Sequence, residues 1–167
     1  LYVSLEPCCF EGRTPPCTDT ILRSGIRRVV AATEDPHPKV RGGGFATLKR
    51  AGIEVICATD SCPEIALQAQ RQNEAIFHFN RTGRPLVTLK AAVTLDGKIA
   101  ASNNTHDWIT SGIARNHVQQ VRHDHEAILT GIGTVLTDDC LLTDRTALPR
   151  HRPLMRILVD SYLRLPL

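Results

Sequence analysis

Apolar residues in the first third of the chain occur in short runs that alternate with helical patterns. Tyr2 to Leu5, Arg28 to Ala32 and Ile53 to Cys57 are short runs bounded by turn residues, which is typical of buried strands. Helices are predicted between them, over Thr18 to Ser24 and Phe45 to Arg50, because a glycine that favours a helix end follows each. The alternation predicts an α/β fold whose parallel strands are joined by right-handed crossovers.

A longer helix and a polar break divide the pattern. The helix is predicted from Pro63 to Phe79, and the segment 80–85, which contains glycine and proline, ends it. We place a domain boundary in this break, with one domain at 1–82 and the other at 83–167.

Beyond the break the pattern predicts further α/β structure. In chain order the predicted elements are a strand over Leu86 to Leu95, a turn at Asp96-Gly97, a helix that Ser111 caps and that reaches His125, and strands over Ala127 to Thr130 and Arg156 to Asp160. The chain opens directly in a strand-like segment without an initiator Met, so we expect that Leu1 is not the native start.

Composition narrows the class of protein. With 167 residues, 42% apolar and 22% charged, the chain has the composition of a soluble globular protein. The net charge of +3 and the aromatic content of 4% argue against a single-strand nucleic-acid binder and suit a small anionic substrate better. No apolar run approaches the roughly 20 residues that a membrane span needs. The six cysteines in such a chain favour a reducing, cytoplasmic setting and metal or catalytic roles over disulfides.

The most specific local motif is the cysteine loop, residues 7–17, which reads PCCFEGRTPPC. Cys8 follows a predicted strand and Cys17 begins a predicted helix, where the helix N-terminus lowers a thiol pKa and favours the thiolate that binds metal. Two thiolates held there would supply half of a tetrahedral zinc site. The alternative is that both are small buried residues near a turn. The remaining thiols outside the loop are interpreted as small hydrophobes: Cys57, Cys62 and Cys140.

This loop resembles the second metal-binding motif of the cytidine deaminase-like superfamily, and its eight-residue gap is similar to that of the riboflavin-biosynthesis deaminases. The resemblance implies one Zn²⁺ ion bound by Cys8 and Cys17, with Cys9 as a neighbour that does not bind. Zinc would activate a water while a Glu shuttles protons. The family's His-x-Glu motif would precede residue 1, so no catalytic residue is assigned here. Phe10 stands where a His is usual.

The second region is similar to the riboflavin-pathway reductases, which share a fold with dihydrofolate reductase. The similar stretches are residues 88–100, 107–111, 131–139, 142–145 and 157–161. Together the two resemblances imply an α/β chain, with the C-terminal part of cytidine deaminase-like α/β/α layers followed by the N-terminal part of a dihydrofolate reductase-like domain.

The reductase resemblance implies two sets of contacts. The NADPH contacts are Ala92, Trp108, Thr134, Asp138 and Ser161. The substrate contacts are Lys90, His106, Arg122, Leu142 and Arg145. A small residue at 92 would let a nicotinamide ring approach, positions 134 and 138 are expected beside a helix start, and the two guanidinium groups suit a ribose phosphate. His106 stands where a Ser is usual, and Cys140 where a Pro is usual. Each residue also has a plainer interpretation: an isolated Trp is more often part of a core, and an isolated Arg is usually solvated.

The resemblance implies two steps of riboflavin biosynthesis for the parent protein. A zinc-dependent hydrolytic deamination of a phosphoribosylamino-diaminopyrimidinone would precede an NADPH-dependent reduction of the ribosyl group to ribityl. The expected partners are small phosphorylated pyrimidines, with no nucleic acid and no membrane, and a homo-oligomer is left open. We expect this stretch alone to be inactive and truncated at both ends. The alternatives are a non-enzymatic remnant or partner-binding module, and a nucleobase or nucleic-acid deaminase with an unrelated C-terminal extension.

Overall fold

The computed structural model describes residues 1–100 and 108–166. The chain divides into two compact units, residues 1–89 and residues 90–167, and each is described by itself. The elements in chain order are β1 (Tyr2–Leu5), α1 (Cys17–Arg23), β2 (Arg28–Thr33), α2 (Gly43–Arg50), β3 (Glu54–Cys57), α3 (Ala58–Ser61), α4 (Pro63–Gln72), α5 (Glu74–Thr82), α6 (Gly112–Asp124), β4 (Ala127–Gly131), α7 (Ile132–Asp138) and β5 (Met155–Val159).

The first unit is built on a three-stranded parallel sheet in the order β1-β2-β3. Val3 pairs with Ala31 at one side of the central strand, and Val30 pairs with Ile56 at the other. The prediction of parallel strands joined by helical crossovers is confirmed for this unit.

Helices cover both faces of this sheet. On one face Val29 packs with Ile21, Leu48 and Ile53 in an apolar cluster that joins the sheet to α1 and α2. On the other face α4 contacts β1 and β2, with Ala66 and Ala69 among its buried residues. Alternate residues of β2 thus enter two separate packed layers.

The predicted helix over residues 63–79 is wrong in its length. It is two helices, α4 and α5, and Asn73 lies between them. The Asn73 amide donates to the carbonyl of Ala69 at 2.8 Å, so the side chain competes for a backbone acceptor at the helix end. The second helix continues to Thr82 and ends at Gly83, whose φ of 67° is readily adopted by glycine.

The second unit contains a parallel pair of strands, β4 and β5, in which Leu129 pairs with Ile157. Ser111 caps α6, as predicted, because its hydroxyl accepts from the N–H of Ala114 at 3.3 Å. The predicted turn at Asp96-Gly97 is also present: the Gly97 N–H donates to the carbonyl of Thr94 at 2.9 Å. Among the described residues, none of the helices has the length and apolar character to cross a membrane.

The predicted strand over Leu86 to Leu95 is wrong. This segment has no regular secondary structure, and the Leu89 side chain is 90% exposed. A strand needs a neighbour to receive its backbone hydrogen bonds and its side chains. In the described part of the second unit, β4 and β5 pair only with each other.

Candidate functional site

The two outer cysteines of the loop lie side by side. The Cys17 N–H donates to the Sγ atom of Cys8 at 3.3 Å, and the Thr18 N–H donates to the Cys8 carbonyl at 3.1 Å. The first turn of α1 therefore folds directly onto Cys8, which lies three residues after the end of β1. Both thiols are free, and neither is fully buried. The loop brings together two soft donors that suit zinc.

The thiol pKa at the helix start differs from the expectation. The pKa of Cys17 is raised, first by a side-chain hydrogen bond with Cys8, then by burial and by repulsion from the Cys8 charge. The prediction that the helix N-terminus lowers this pKa is therefore wrong, because the side-chain hydrogen bond with Cys8 and burial both favour the protonated thiol.

A buried carboxylate next to the cysteine loop binds backbone N–H groups at the start of α2. Glu6 is only 2% exposed, and its oxygens accept from the N–H groups of Gly42 and Phe45, each at 2.9 Å. It thereby fixes the start of α2 beside the cysteine loop. A side chain at Gly44 would meet the Pro7 carbonyl oxygen at 2.0 Å, so the two segments touch through backbone atoms. Glu6 was not predicted, because its partners are backbone groups 29, 36 and 39 residues away.

The middle of the cysteine loop makes a separate contact with the loop before α2. The Phe10 ring stacks on the His37 ring, with centroids 5.1 Å apart, and Lys39 Nζ lies 5.7 Å from the Phe10 centroid. The Cys9 thiol donates weakly to the Lys39 carbonyl at 3.6 Å. Cys9 thus faces this loop.

The other cysteines lie elsewhere. The Cys57 thiol lies 3.3 Å from the Thr59 hydroxyl, and Cys140 Sγ lies 4.0 Å from the Thr134 carbonyl. Cys57, Cys62 and Cys140 are each partly buried and free. Within residues 1–100 and 108–166, no group of three or more His, Cys, Asp or Glu residues is placed to hold a metal.

In the second unit, two of the predicted cofactor residues follow the paired parallel strands. Thr134 lies in the first turn of α7, after β4, and Ser161 follows β5; both are exposed. Because Gly131 pairs with Val159, these two segments leave the same edge of the sheet. Asp138 was expected beside a helix start, but it is the last residue of α7. The six preceding residues of the helix separate it from that edge.

Trp108 stands at the approach to α6 and is 77% exposed. The guanidinium carbon of Arg115 lies 4.5 Å from the indole centroid, and Arg115 Nη1 donates to the Thr110 carbonyl at 2.6 Å. The cation–π contact covers one face of the indole. The core interpretation of Trp108 does not hold, since its side chain is largely in solvent.

Three of the predicted substrate residues lie together around the loop that follows α7. Arg122 Nη1 donates to the Thr143 carbonyl at 2.9 Å, and the Arg145 N–H donates to Gln119 Oε1 at 3.1 Å. Leu142 is buried and has a positive φ of 50°, which is uncommon for a residue with a side chain.

The remaining predicted ligand residues precede α6. Lys90 is exposed and Ala92 half-buried, both in the segment expected to be a strand. His106 lies outside the described residues.

A known protein family matches the second half of the chain. Residues 85–167 match the RibD C-terminal domain, the reductase part of riboflavin biosynthesis proteins. Over 99% of its length the chain is 46% identical to the riboflavin biosynthesis protein RibD of Bacillus amyloliquefaciens, of which it covers 43%. Over 100% of its length it is 46% identical to RibD of Aquifex aeolicus, of which it covers 45%.

Solved structures give the same result. RibD of Acinetobacter baumannii aligns with 98% of this chain and 46% of its own, at 38% identity and a TM-score of 0.82. A diaminohydroxyphosphoribosylaminopyrimidine deaminase/5-amino-6-(5-phosphoribosylamino)uracil reductase of Thermotoga maritima aligns with 95% of this chain and 43% of its own, at 40% identity and a TM-score of 0.82. The chain belongs to the RibD family. It spans less than half the length of these relatives.

The comparisons correct the expected fold class, cytidine deaminase-like layers followed by a dihydrofolate reductase-like domain. The matched region is the RibD C-terminal domain, so the C-terminal part of the chain is assigned to the reductase fold and a cytidine deaminase-like assignment conflicts with it. The expectation rested on the cysteine loop, and a local motif of this kind does not by itself define a fold. The boundary at 82/83 stays a prediction; the matched family begins at 85, and the compact units divide after Leu89.

Proposed function

We propose that residues 85–167 serve an NADPH-dependent reductase of riboflavin biosynthesis, which reduces the ribosyl group of a phosphoribosylaminouracil to a ribityl chain. The match to the RibD C-terminal domain is the observation that carries this proposal. The name of the Thermotoga maritima relative, which includes a 5-amino-6-(5-phosphoribosylamino)uracil reductase, supports the choice of substrate.

The layout of the second unit supports these roles. In open parallel sheets, ligands bind outside the carboxyl ends of the strands, and the segments that carry Thr134 and Ser161 leave that edge. We assign both to NADPH, with the exposed indole of Trp108 as a stacking surface and Ala92 and Asp138 as further contacts. When bound, the nicotinamide supplies the hydride. Arg122 and Arg145 would bind the ribose phosphate through paired N–H groups. Leu142, Lys90 and His106 complete the proposed substrate contacts.

Trp108 is the only tryptophan of the chain, so its fluorescence reports on this site directly. We expect NADPH to quench it, and we expect Thr134→Ala to weaken NADPH binding about 2- to 10-fold through the loss of one hydrogen bond. The matched control is Thr137→Ala, an exposed threonine of the same helix that has no assigned role. Equal affinity of the two variants for NADPH would remove Thr134 from the site, and an absence of quenching would argue against the cofactor assignment.

We also propose that the first unit belongs to the zinc-dependent deaminase of the same protein, which acts on the phosphoribosylamino-diaminopyrimidinone before the reduction. The adjacent thiols of Cys8 and Cys17 support this, since thiolates are preferred zinc ligands. They would hold the metal together with a ligand outside the described residues, because a catalytic zinc site needs three protein ligands. The zinc ion would activate a water for attack on the ring.

Co²⁺ tests the thiol pair, because cobalt thiolates absorb in the visible and near-ultraviolet range. We expect the full chain to show a thiolate-to-cobalt band that is lost in Cys8→Ser and in Cys17→Ser. Cys57→Ser is the control. This thiol is also partly buried, but its hydrogen-bond partner among the described residues is the Thr59 hydroxyl and not a second thiol. A band that survives Cys8→Ser, or that disappears in Cys57→Ser, would contradict the assignment.

A further inference from the structure

A cluster of polar side chains joins the loop after α7 to the carboxyl end of α6. At its centre, Arg150 Nη1 lies 2.8 Å from Asp144 Oδ2. Their side chains are only 19% and 9% exposed. A pair withdrawn from water to this degree is tolerated only where further hydrogen bonds satisfy both ions. The surroundings of the pair supply those bonds.

Arg150 caps α6 from the loop. Its Nη1 atom also donates to the carbonyls of Arg122 at 3.2 Å and His123 at 2.9 Å, and its Nη2 atom donates to the His125 carbonyl at 2.6 Å. The last carbonyls of a helix have no helical N–H partner, and a cation is favourable beside them. One guanidinium therefore binds both the helix end and the loop carboxylate.

Asp144 ties the loop to itself and to the helix. Its Oδ1 atom accepts from the Thr146 hydroxyl at 2.9 Å and from the Thr146 N–H at 3.3 Å. The same hydroxyl lies 3.2 Å from His123 Nδ1, and that nitrogen is 3.7 Å from Asp144 Oδ1. The carboxylate thus has partners on each side.

The helix reaches back to the loop through two further side chains. Arg122 donates to the Thr143 carbonyl, and Gln119 accepts from the Arg145 N–H. Positions 119, 122 and 123 are spaced three and four residues apart, so they share one face of α6. Hydrogen bonds therefore hold the loop at each residue from 143 to 146 and again at 150.

We propose that Arg150 and Asp144 are positioning residues that fix the loop 142–150 on α6 and so orient Arg122 and Arg145 toward the substrate phosphate. This inference rests on the proposed reductase function, which makes the two arginines phosphate ligands. Arg122 Nη1 donates to the Thr143 carbonyl. The direction of the other N–H groups of this guanidinium therefore depends on the loop being in place. Paired N–H contacts to a phosphate tolerate little displacement.

The test uses the full chain with three variants: Arg150→Gln, Arg150→Lys and, as the control, Arg152→Gln at an exposed arginine of the same segment. Amide hydrogen exchange at Arg145 and Thr146 measures the loop, and NMR titration with ribose 5-phosphate and with ribose measures the phosphate contribution to binding. We expect Arg150→Gln to lower amide protection and ribose 5-phosphate affinity about 10-fold each, with ribose affinity unchanged. Arg150→Lys should fall between, because it keeps the charge and loses the planar fork. Arg152→Gln should match the wild type.

Each other outcome counts against a defined part of the proposal. Unchanged exchange at Arg145 in Arg150→Gln would overturn the anchoring of the loop. Lost protection with unchanged ribose 5-phosphate affinity would overturn the positioning role, and an equal loss for ribose would do so too, since it indicates general disruption. A wild-type chain that fails to bind ribose 5-phosphate would contradict the proposed function, while hydrogen exchange still decides the anchoring. If Arg150→Gln does not fold, Arg150→Lys provides the same comparison.

Discussion

The two units hold their candidate sites in different ways. Among the described residues, every buried apolar side chain except Ile132 and Leu142 lies in residues 1–89. In the second unit, Leu129 of β4 is 63% exposed, and its neighbour Ile157 is exposed on the same face. The cysteine loop therefore rests on a packed core, whereas the loop after α7 is held mainly by hydrogen bonds and an ion pair.

The two candidate sites should therefore respond to different perturbations. A packed core is sensitive to lost or added volume, because its cavities collapse only in part. A polar cluster is sensitive to lost charge and to pH. A change of side-chain volume should therefore lower the stability of the first unit more than that of the second. A change of pH should affect the second unit more than the first.

The largest effect is expected for Leu48→Ala. Leu48 is fully buried against the central sheet of the first unit, so the substitution should lower the free energy of unfolding of this unit by about 2–5 kcal/mol. Hydrogen exchange at the β2 amides in increasing urea measures the loss for this unit alone. Leu129→Ala is the matched control and should change stability by less than about 0.5 kcal/mol. A loss at Leu129 as large as that at Leu48 would show that the β4–β5 face is covered in solution, and the comparison would fail.

A smaller effect is expected from added volume at Gly44. Its new methyl group would meet the Pro7 carbonyl oxygen at 2.0 Å, so Gly44→Ala must push α2 away from the cysteine loop. We expect a cost of about 1–3 kcal/mol, together with a weaker cobalt–thiolate band. Gly133→Ala places the same methyl in open space within α7 and should be neutral or stabilise by up to about 1 kcal/mol. Urea unfolding measures the free energy of unfolding of each variant relative to wild type. Equal changes in Gly44→Ala and Gly133→Ala would contradict the close contact at Gly44.

The elements of the first unit could be predicted because local pattern and tertiary context agree there. β1, β2 and β3 lie within one residue of the predicted strands, since short apolar runs with turn residues on each side have few other ways to be buried. The segment 86–95 has an equally apolar pattern, but no described strand pairs with it. A strand depends on a neighbour that its own sequence does not encode.

The candidate sites were predictable where residue type carries the chemistry. The cysteine spacing predicted a pair of thiols, and the structure places Cys8 beside Cys17. Glu6 was missed because its hydrogen-bond partners are backbone groups, which leave no side-chain pattern in the sequence. Arg150 was missed because, apart from Asp144, it binds the backbone carbonyls of residues 122, 123 and 125. The one local signal was Asp144 two residues before Thr146, a spacing at which an Asp side chain commonly accepts a backbone N–H.

The smallest of the expected effects is a loss of stability of the second unit at acid pH. The pKa of Asp144 is lowered, first by the hydrogen bond from the Thr146 hydroxyl and also by the Arg150 guanidinium. A carboxyl whose folded pKa lies below its unfolded value stabilises the fold fully above the unfolded pKa, and this contribution is lost as pH falls through the folded pKa. The advantage of wild type over Asp144→Asn should therefore be constant near neutral pH and shrink below about pH 4. Hydrogen exchange at the α6 amides measures it, with the exposed Glu126→Gln as control. An advantage that stays constant down to the folded pKa would mean that the carboxylate charge adds nothing to the loop, and the second unit would then depend on packing as the first one does.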